Sequence, residues 1–376
     1  MISLFMLNDA TSSWGAMGMI LRWKAVGCRK TRYLVSYSSE LYDAFDSLWL
    51  DREGSPGTMI PMVLRFLAGL VTLGLYAQAL LCAGAGTATA VSKAPPRTMS
   101  ELLSSSQPSD WRALDPEQTL YLELPMGRVV IELTPWFATG HVANVKALVR
   151  EGYFDGLAII RAQENYVVQW GDHLAEKPEL ARPIRRAART LPPEFDRRYD
   201  RRVPFTRLPD GDLYAPEVGF TAGFPVARDR RHGKMWLIHT YGMVGAGRDV
   251  RPDSGGGAEL YVVIGQAPRQ LDRNVTLFGR VVQGMEKLTT LPRGTGAMGF
   301  YEKIEEHVPI RSIRVASDVP AEARTSLEVL RTDTPLFQAL IESRRNRREE
   351  WFQHAAGRID ISNVPLPVRV APPPRP

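Results

Sequence analysis

"IIRAQENYVVQWGD", Ile159 to Asp172, is the stretch that decides the fold. Ile159 and Ile160 open an apolar run that Tyr166, Val167 and Val168 resume. Arg161 interrupts it, and Gln169 follows eight residues later. The run reads as sheet core, in one or two strands. Arginine is almost never fully buried unless it is paired, so a guanidinium near the middle of such a run needs a reason.

The flanks supply the architecture. "TLYLELPMGRVVIEL" alternates at Leu120, Leu122 and Leu124, breaks at Pro125-Met126-Gly127, and resumes at Val129, Ile131 and Leu133. That is a β-hairpin signature. In "FATGHVANVKALVREG", Phe137, Val142, Val145, Leu148 and Val149 recur at helical spacing and Gly152 closes the element. "ELYVVIG", "VTLFGRVV" and "IRSIRVA" are short β runs bounded by turn residues. Many strands with two evident helices predict a closed antiparallel barrel capped by helices. The βαβα rhythm of a doubly wound sheet is missing.

The bulk numbers exclude several classes. Both cysteines, Cys28 and Cys82, lie early, so a disulfide scaffold or cysteine-based metal site is excluded for the main body. The six histidines stand singly, none at ligand spacing, so no metal is expected. A net charge of +6 permits an anionic partner without demanding one, and no nucleic acid is expected.

The front of the chain reads as a targeting region. Residues 59–90 order one positive charge, Arg65, an apolar run from Phe66 to Ala83, and small residues ending in Ala88-Thr89-Ala90. That is the layout of a secretory signal peptide with an A-x-A cleavage site. Cleavage there predicts a mature protein beginning near Val91, in a periplasm, with no stable membrane insertion. An uncleaved anchor is the competing reading, because the run is about long enough to span a bilayer. Leu81 before Cys82 makes a poor lipobox. Residues 1–58 fit neither scheme and read as an over-long start. The polar stretch 91–116, with Ser104-Ser105-Ser106 and Pro108, reads as a linker.

"EGYFDGLAIIRAQENYVVQWGD" resembles the active-site segment of the cyclophilin-type peptidyl-prolyl isomerases. Tyr153-Phe154-Asp155-Gly156 opens it, Arg161 matches the family arginine, Tyr166 and Val167 its Phe-Met pair, and Gln169 its glutamine. "GMVGAG" resembles the segment whose backbone lines the substrate groove, with Gly245 where the family has Asn. "AELYVVIG" is similar to the Ser-Gln-Phe-Phe strand and places Glu259, Leu260 and Tyr261 near the site. "LDRNVTLFGRVVQGMEKL" resembles the stretch whose leucine, here Leu271, walls the proline pocket. The resemblance covers about 117–316 and implies a mostly β, closed, eight-stranded cyclophilin-like barrel.

Departures are plain. Ile160 replaces the histidine before the arginine, Val167 the methionine, Gln270 a frequent tryptophan and Val275 the pocket histidine. Gln270 implies poor binding of cyclosporin, which that tryptophan helps to hold. Between Asp172 and Met243 the chain is longer than the family norm. This insertion, about 174–238, has eight arginines between positions 182 and 202. They read as a solvated loop partly balanced by Glu194, Asp196 and Asp200.

The resemblance implies a reaction that explains Arg161. Rotation about an X-Pro bond breaks amide resonance but no σ-bond, so no cofactor is called for. The barrier is about 20 kcal/mol. In the twisted state the proline nitrogen gains a lone pair, and a donor aimed at it binds that state better than the planar one. Arginine stays charged and presents a rigid fork of donors. Gln169 orients the fork or binds a peptide carbonyl, and Tyr166, Val167, Leu260, Tyr261 and Leu271 form the apolar pocket for the ring. The substrates implied are X-Pro polypeptides among exported proteins, and a monomer is expected. The rival class is a cyclophilin-fold binding or chaperone module with little isomerase activity. "PDSGGG", Pro252 to Gly257, resembles a serine-protease nucleophile motif, but no His companion motif accompanies it, so a glycine-rich loop is the better reading. Residues 317–376 read as an extension: a helix over 335–356, then a disordered proline-rich tail.

Overall fold

A capping box lies at the start of the described residues. The structure, a computed structural model, describes residues 97–372, so the over-long start, the signal peptide, the start of the linker and the last four residues lie outside the described residues. Thr98 Oγ1 accepts from Glu101 N and Glu101 Oε2 accepts from Thr98 N, starting helix α1 (Met99–Ser104). Strand β1 (Trp111–Ala113) follows. Residues 97–116 are thus not a linker. The serines that suggested one donate their hydroxyls to the carbonyls of Glu101, Leu102 and Leu103 at the helix end, while Leu102 and Trp111 are buried.

The predicted hairpin forms as β2 (Thr119–Leu124) and β3 (Gly127–Leu133). Gly127 takes φ +120°, which a side chain would resist. Helix α2 (Thr139–Arg150) turns Val142, Val145, Leu148 and Val149 into the core. Strands β4 (Ala158–Ala162) and β5 (Val167–Gly171) come from the opening stretch. The insertion holds β6 (Arg197–Arg198), β7 (Thr206–Arg207), β8 (Glu217–Thr221), β9 (Phe224–Asp229) and β10 (Lys234–Leu237). Then come β11 (Met243–Ala246), β12 (Leu260–Val263), β13 (Leu277–Gln283), the short helix α3 (Met285–Thr289), β14 (Val308–Pro309) and β15 (Ser312–Val315). The extension adds β16 (Leu327–Leu330), helix α4 (Pro335–Arg345) and β17 (Val368–Val370).

Nine antiparallel strands form the main sheet, in the order β14-β4-β5-β12-β11-β13-β3-β2-β15. The expected closed barrel of eight strands is corrected to an open, curled sheet of nine. Its two edge strands do not pair with each other. They are successive pieces of one bent segment. Ile310 N donates to Leu157 O at 2.8 Å on one edge, and Arg311 N to Glu123 O at 2.9 Å on the other. The bend divides the last strand in two and tethers both edges.

The insertion is a second, five-stranded antiparallel sheet, β6-β10-β9-β8-β7. Its alternation supplies two apolar faces. Phe224, Val226, Met235 and Leu237 pack with Val167, Met243, Tyr261 and Leu277 of the main sheet. Val218, Phe220, Ala227 and Trp236 pack with Leu102 and Trp111 from the front, and with Phe337, Leu340 and Ile341 of α4. Residues 182–196 of the arginine run form loop without helix or strand, while some of its side chains make specific contacts. Arg182 donates to the Asp155 carbonyl at 2.6 Å and Arg197 stacks on Trp136, whereas Arg185, Arg186, Arg189, Arg198 and Arg201 are exposed. Of the three acids, Asp200 binds Arg202 within the run, but Glu194 caps α2 and Asp196 binds Lys234 and Arg273.

The C-terminal helix stops at Arg345, short of the expected 356. After Phe337, Leu340 and Ile341, the next positions on that face are Arg344 and Arg345. Arg345 turns aside to pair with Asp210 at 2.6 Å, and its carbonyl accepts from Gly357 N. The expected disorder of the proline-rich tail is also corrected among the described residues: β17 pairs with β16, which pairs with β1. Among the described residues no helix is long and apolar enough to cross a membrane.

Candidate active site

A one-residue slip answers the question Arg161 poses. Ile159 pairs with Trp170, and the next pair is Arg161 with Gln169, so Ile160 is the extra residue of a β-bulge. Strict alternation would give Arg161 the same side as Ile159, which is fully buried in the main core. The bulge re-aims it to the outer face, as bulges beside functional sites do. There it joins a row. Arg161 lies opposite Gln169, Gln169 opposite Tyr261, Tyr261 opposite Gly245, and Gly245 opposite Leu277. The neighbours Val168, Trp170, Leu260, Val262, Val244 and Ala246 all face the core.

The guanidinium is held on several sides. Nε donates to Met298 O at 2.7 Å, one terminal nitrogen to Gln169 Oε1 at 2.9 Å, and the other to Gln163 Oε1. Its Cζ lies 5.2 Å from the Phe300 ring centre and 5.5 Å from that of Tyr166, within cation–π range. Partial burial pushes its pKa down, with Tyr166 and Glu259 acting the other way. Arginine remains a cation regardless.

Gln169 passes the contact on. Its Nε2 donates to Glu259 Oε2 at 2.7 Å, which fixes its Oε1 toward Arg161. Burial raises the Glu259 pKa. The Gln169 bond opposes that rise, and the charges of Asp249 and Glu176 add to it.

Tyr166 and Leu271 are half-buried, while Val167 and Tyr261 are 3% and 6% exposed and form a floor that continues into the insertion sheet. Leu260 is a correction: it points into the main core, on the face opposite Tyr261, so it cannot wall a pocket on the outer face. Gly245 makes room for its neighbour. A Cβ there would lie 2.7 Å from Tyr261 Cε1 and nearer still to the phenol oxygen. The tyrosine therefore occupies space that a side chain at position 245 would need.

Three contributors escaped the sequence reading. Gln163 had a signal, since it lies two residues from Arg161, just past the end of β4. Phe300 and the Met298 carbonyl come from a distant loop with none. Ser254 of the decoy donates to Arg251 O at 2.6 Å within its own loop, and Gly257 takes φ +87° against Val145, consistent with a glycine-rich turn. Among the described residues no group of three or more metal-ligating side chains gathers.

Comparisons with known proteins point to one family. A family model described as cyclophilin type peptidyl-prolyl cis-trans isomerase matches residues 119–315. A probable peptidyl-prolyl cis-trans isomerase of Brucella suis biovar 1 (strain 1330) is 28% identical over 185 residues, covering 49% of this chain and 76% of that protein. One of Brucella abortus (strain 2308) is 27% identical over the same length. The cyclophilin AquaCyp293 from Hirschia baltica superposes with a TM-score of 0.56 at 24% identity, covering 74% of this chain and 99% of that one. This last likeness concerns the fold.

Proposed function

The chain belongs to the cyclophilin-type peptidyl-prolyl cis-trans isomerases, enzymes of proline-containing polypeptides, and we propose that it isomerises X-Pro bonds of exported proteins with Arg161 as the catalytic donor. The observation that supports this reading is the cross-strand row of Arg161, Gln169, Tyr261 and Gly245 on one outer face. The guanidinium is pre-oriented by Gln169, Gln163 and the Met298 carbonyl. It uses three of its five N–H donors there. The remaining donors meet the lone pair that grows on the proline nitrogen as the amide twists, which lowers the twisted state more than the planar one. Tyr166 and Leu271 form the accessible apolar rim for the ring, over a floor of Val167 and Tyr261.

Arg161→Ala is expected to cut kcat/KM by roughly 100-fold, and Arg161→Lys to recover part of it, because a point charge lacks the planar fork. A proline-isomerisation assay beside melting curves tests this. Full activity in Arg161→Ala, or loss only through unfolding, would end the proposal. The exported setting rests on residues 59–90, and N-terminal sequencing that finds a start near Val91 supports it. The covered floor favours a second reading, a binding module with little activity, and the wild-type assay on a short X-Pro peptide separates the two.

A further inference from the structure

Two buried polar links join the insertion to the site. His239 follows β10 closely and is fully buried. Its Nε2 lies 2.9 Å from the Tyr261 hydroxyl, and its Nδ1 3.1 Å from Asp272 Oδ1. Its backbone N–H donates to that same carboxylate oxygen at 2.9 Å. Burial pushes the imidazole pKa down against the pull of Asp272, so the ring is neutral. Burial acts to raise the Asp272 pKa, but the His239 bond and the Arg269 charge outweigh it and hold the group ionised. An ionised carboxylate only accepts, so Nδ1 carries the proton and Nε2 accepts from the Tyr261 hydroxyl.

The second link starts one residue pair away. Arg269 opens the short turn Arg269–Leu271, so its clamp sets where Leu271 stands. Its Nε donates to Asp272 Oδ2 at 2.7 Å, and its two terminal nitrogens to both oxygens of Asp212 at 2.6 and 3.0 Å. The Arg269 and Asp212 side chains are 5% and 3% exposed. Asp212 comes from the insertion, between β7 and β8. The chain Tyr261, His239, Asp272, Arg269, Asp212 therefore runs from the pocket through the Leu271 turn into the insertion. Buried charges are costly, and a bidentate, fully partnered arrangement admits one geometry.

We propose that His239 and Asp212 are positioning residues of the isomerase site: the insertion sets the proline pocket, His239 by fixing the Tyr261 ring and Asp212 by fixing the turn that carries Leu271. This rests on the isomerase reading above. Neither residue touches the twisting amide, so their loss acts on peptide affinity more than on turnover.

The test uses the mature chain, a short X-Pro peptide, an isomerase assay that separates kcat from KM, and calorimetric titration for Kd. His239→Phe and Asp212→Asn are expected to raise KM and Kd about tenfold, with kcat within about twofold. The pair His239→Phe with Tyr261→Phe is expected to lie nearer wild type than His239→Phe alone, since it leaves no orphaned hydroxyl. Leu340→Ala, in the core of α4 and far along the chain from the pocket, is the stability control and is expected to keep the wild-type KM below its melting point. If His239→Phe fails to fold, Tyr261→Phe and Asp212→Asn carry the readout. Unchanged KM and Kd in the folded variants, or an equal rise in Leu340→Ala, overturns the inference while leaving the isomerase reading intact. A wild type that neither binds nor isomerises the peptide overturns that reading and the inference with it.

Discussion

Glu259 is expected to give the site a dependence on pH. Its carboxylate takes the Gln169 Nε2–H, and this leaves Gln169 Oε1 for Arg161. An amide has one donor end and one acceptor end, so the acceptor at Glu259 fixes which way it points. Protonating Glu259 adds a donor and removes that constraint. Burial holds its pKa above the usual glutamate range. We expect kcat/KM to fall on acidification at a pH above that range, and Glu259→Gln to flatten the limb. The sign for stability is opposite. A folded-state pKa raised above the unfolded one means that the folded chain holds the proton more tightly. That contribution is full below the unfolded pKa and is lost as pH rises through the folded one. Glu259→Gln should therefore gain in melting point relative to wild type as pH rises. An acid limb unchanged in Glu259→Gln would assign the titration elsewhere. Residue types were readable here and contacts were not. Arg161, Gln169 and Glu259 stand out in the sequence, but the bulge at Ile160 that turns Arg161 outward carries no compositional mark. Leu260 was misplaced because a β run gives the period and not which face is which.

Elements with a strong period were legible, and those stabilised by distant partners were not. The hairpin β2–β3 and helix α2 appear where alternation and helical spacing put them. The insertion sheet was missed because its strands are short and the arginine run at its start drew the reading toward a solvated loop. Its central hairpin nevertheless has a two-residue turn, Ala222-Gly223, with φ +50° and +86°. Two positive φ values suit the hairpin twist, and Asn-Gly is the pair that usually signals them. Alanine at the first position hid the signal and strains the turn. Ala222→Asn is expected to raise stability by up to about 1 kcal/mol, since the position is exposed and Asn tolerates the left-handed region. A melting point that falls would mean that the Ala222 carbonyl, which accepts from Arg112 at 2.9 Å, depends on the present turn geometry. Helix α4 shows the opposite error. Trp351 and Phe352 extended the apparent pattern past residue 345, yet Trp351 is 81% exposed and stacks edge-on with Phe352 outside the helix.

On the scale of the whole molecule, the parts that lie outside the family resemblance depend on one another. The insertion sheet has two apolar faces, one against the main sheet and one against the pieces that precede and follow it in sequence. A sheet with an uncovered apolar face is unstable and prone to associate. The segment 97–116 and the extension 317–372 supply that cover, which explains why a polar front segment and a proline-rich tail are ordered here. Phe337 in the first turn of α4 is fully buried and meets Phe220 of the insertion edge-on at 5.1 Å. Phe337→Ala is therefore expected to cost about 3–5 kcal/mol. Residues 117–316, the domain as the sequence drew it, are expected to fail as an isolated fragment. The outer face of Val218, Phe220 and Trp236 would be bare, giving a broad, weakly cooperative melt and dye binding to exposed apolar surface. Because that sheet also underlies Val167 and Tyr261, the fragment should lose peptide binding along with its cooperativity. Calorimetry and peptide titration on the fragment beside the full chain decide the matter. A fragment that melts in one sharp transition and binds the peptide as tightly as the full chain would show that the barrel stands alone and that the outer layers only decorate it.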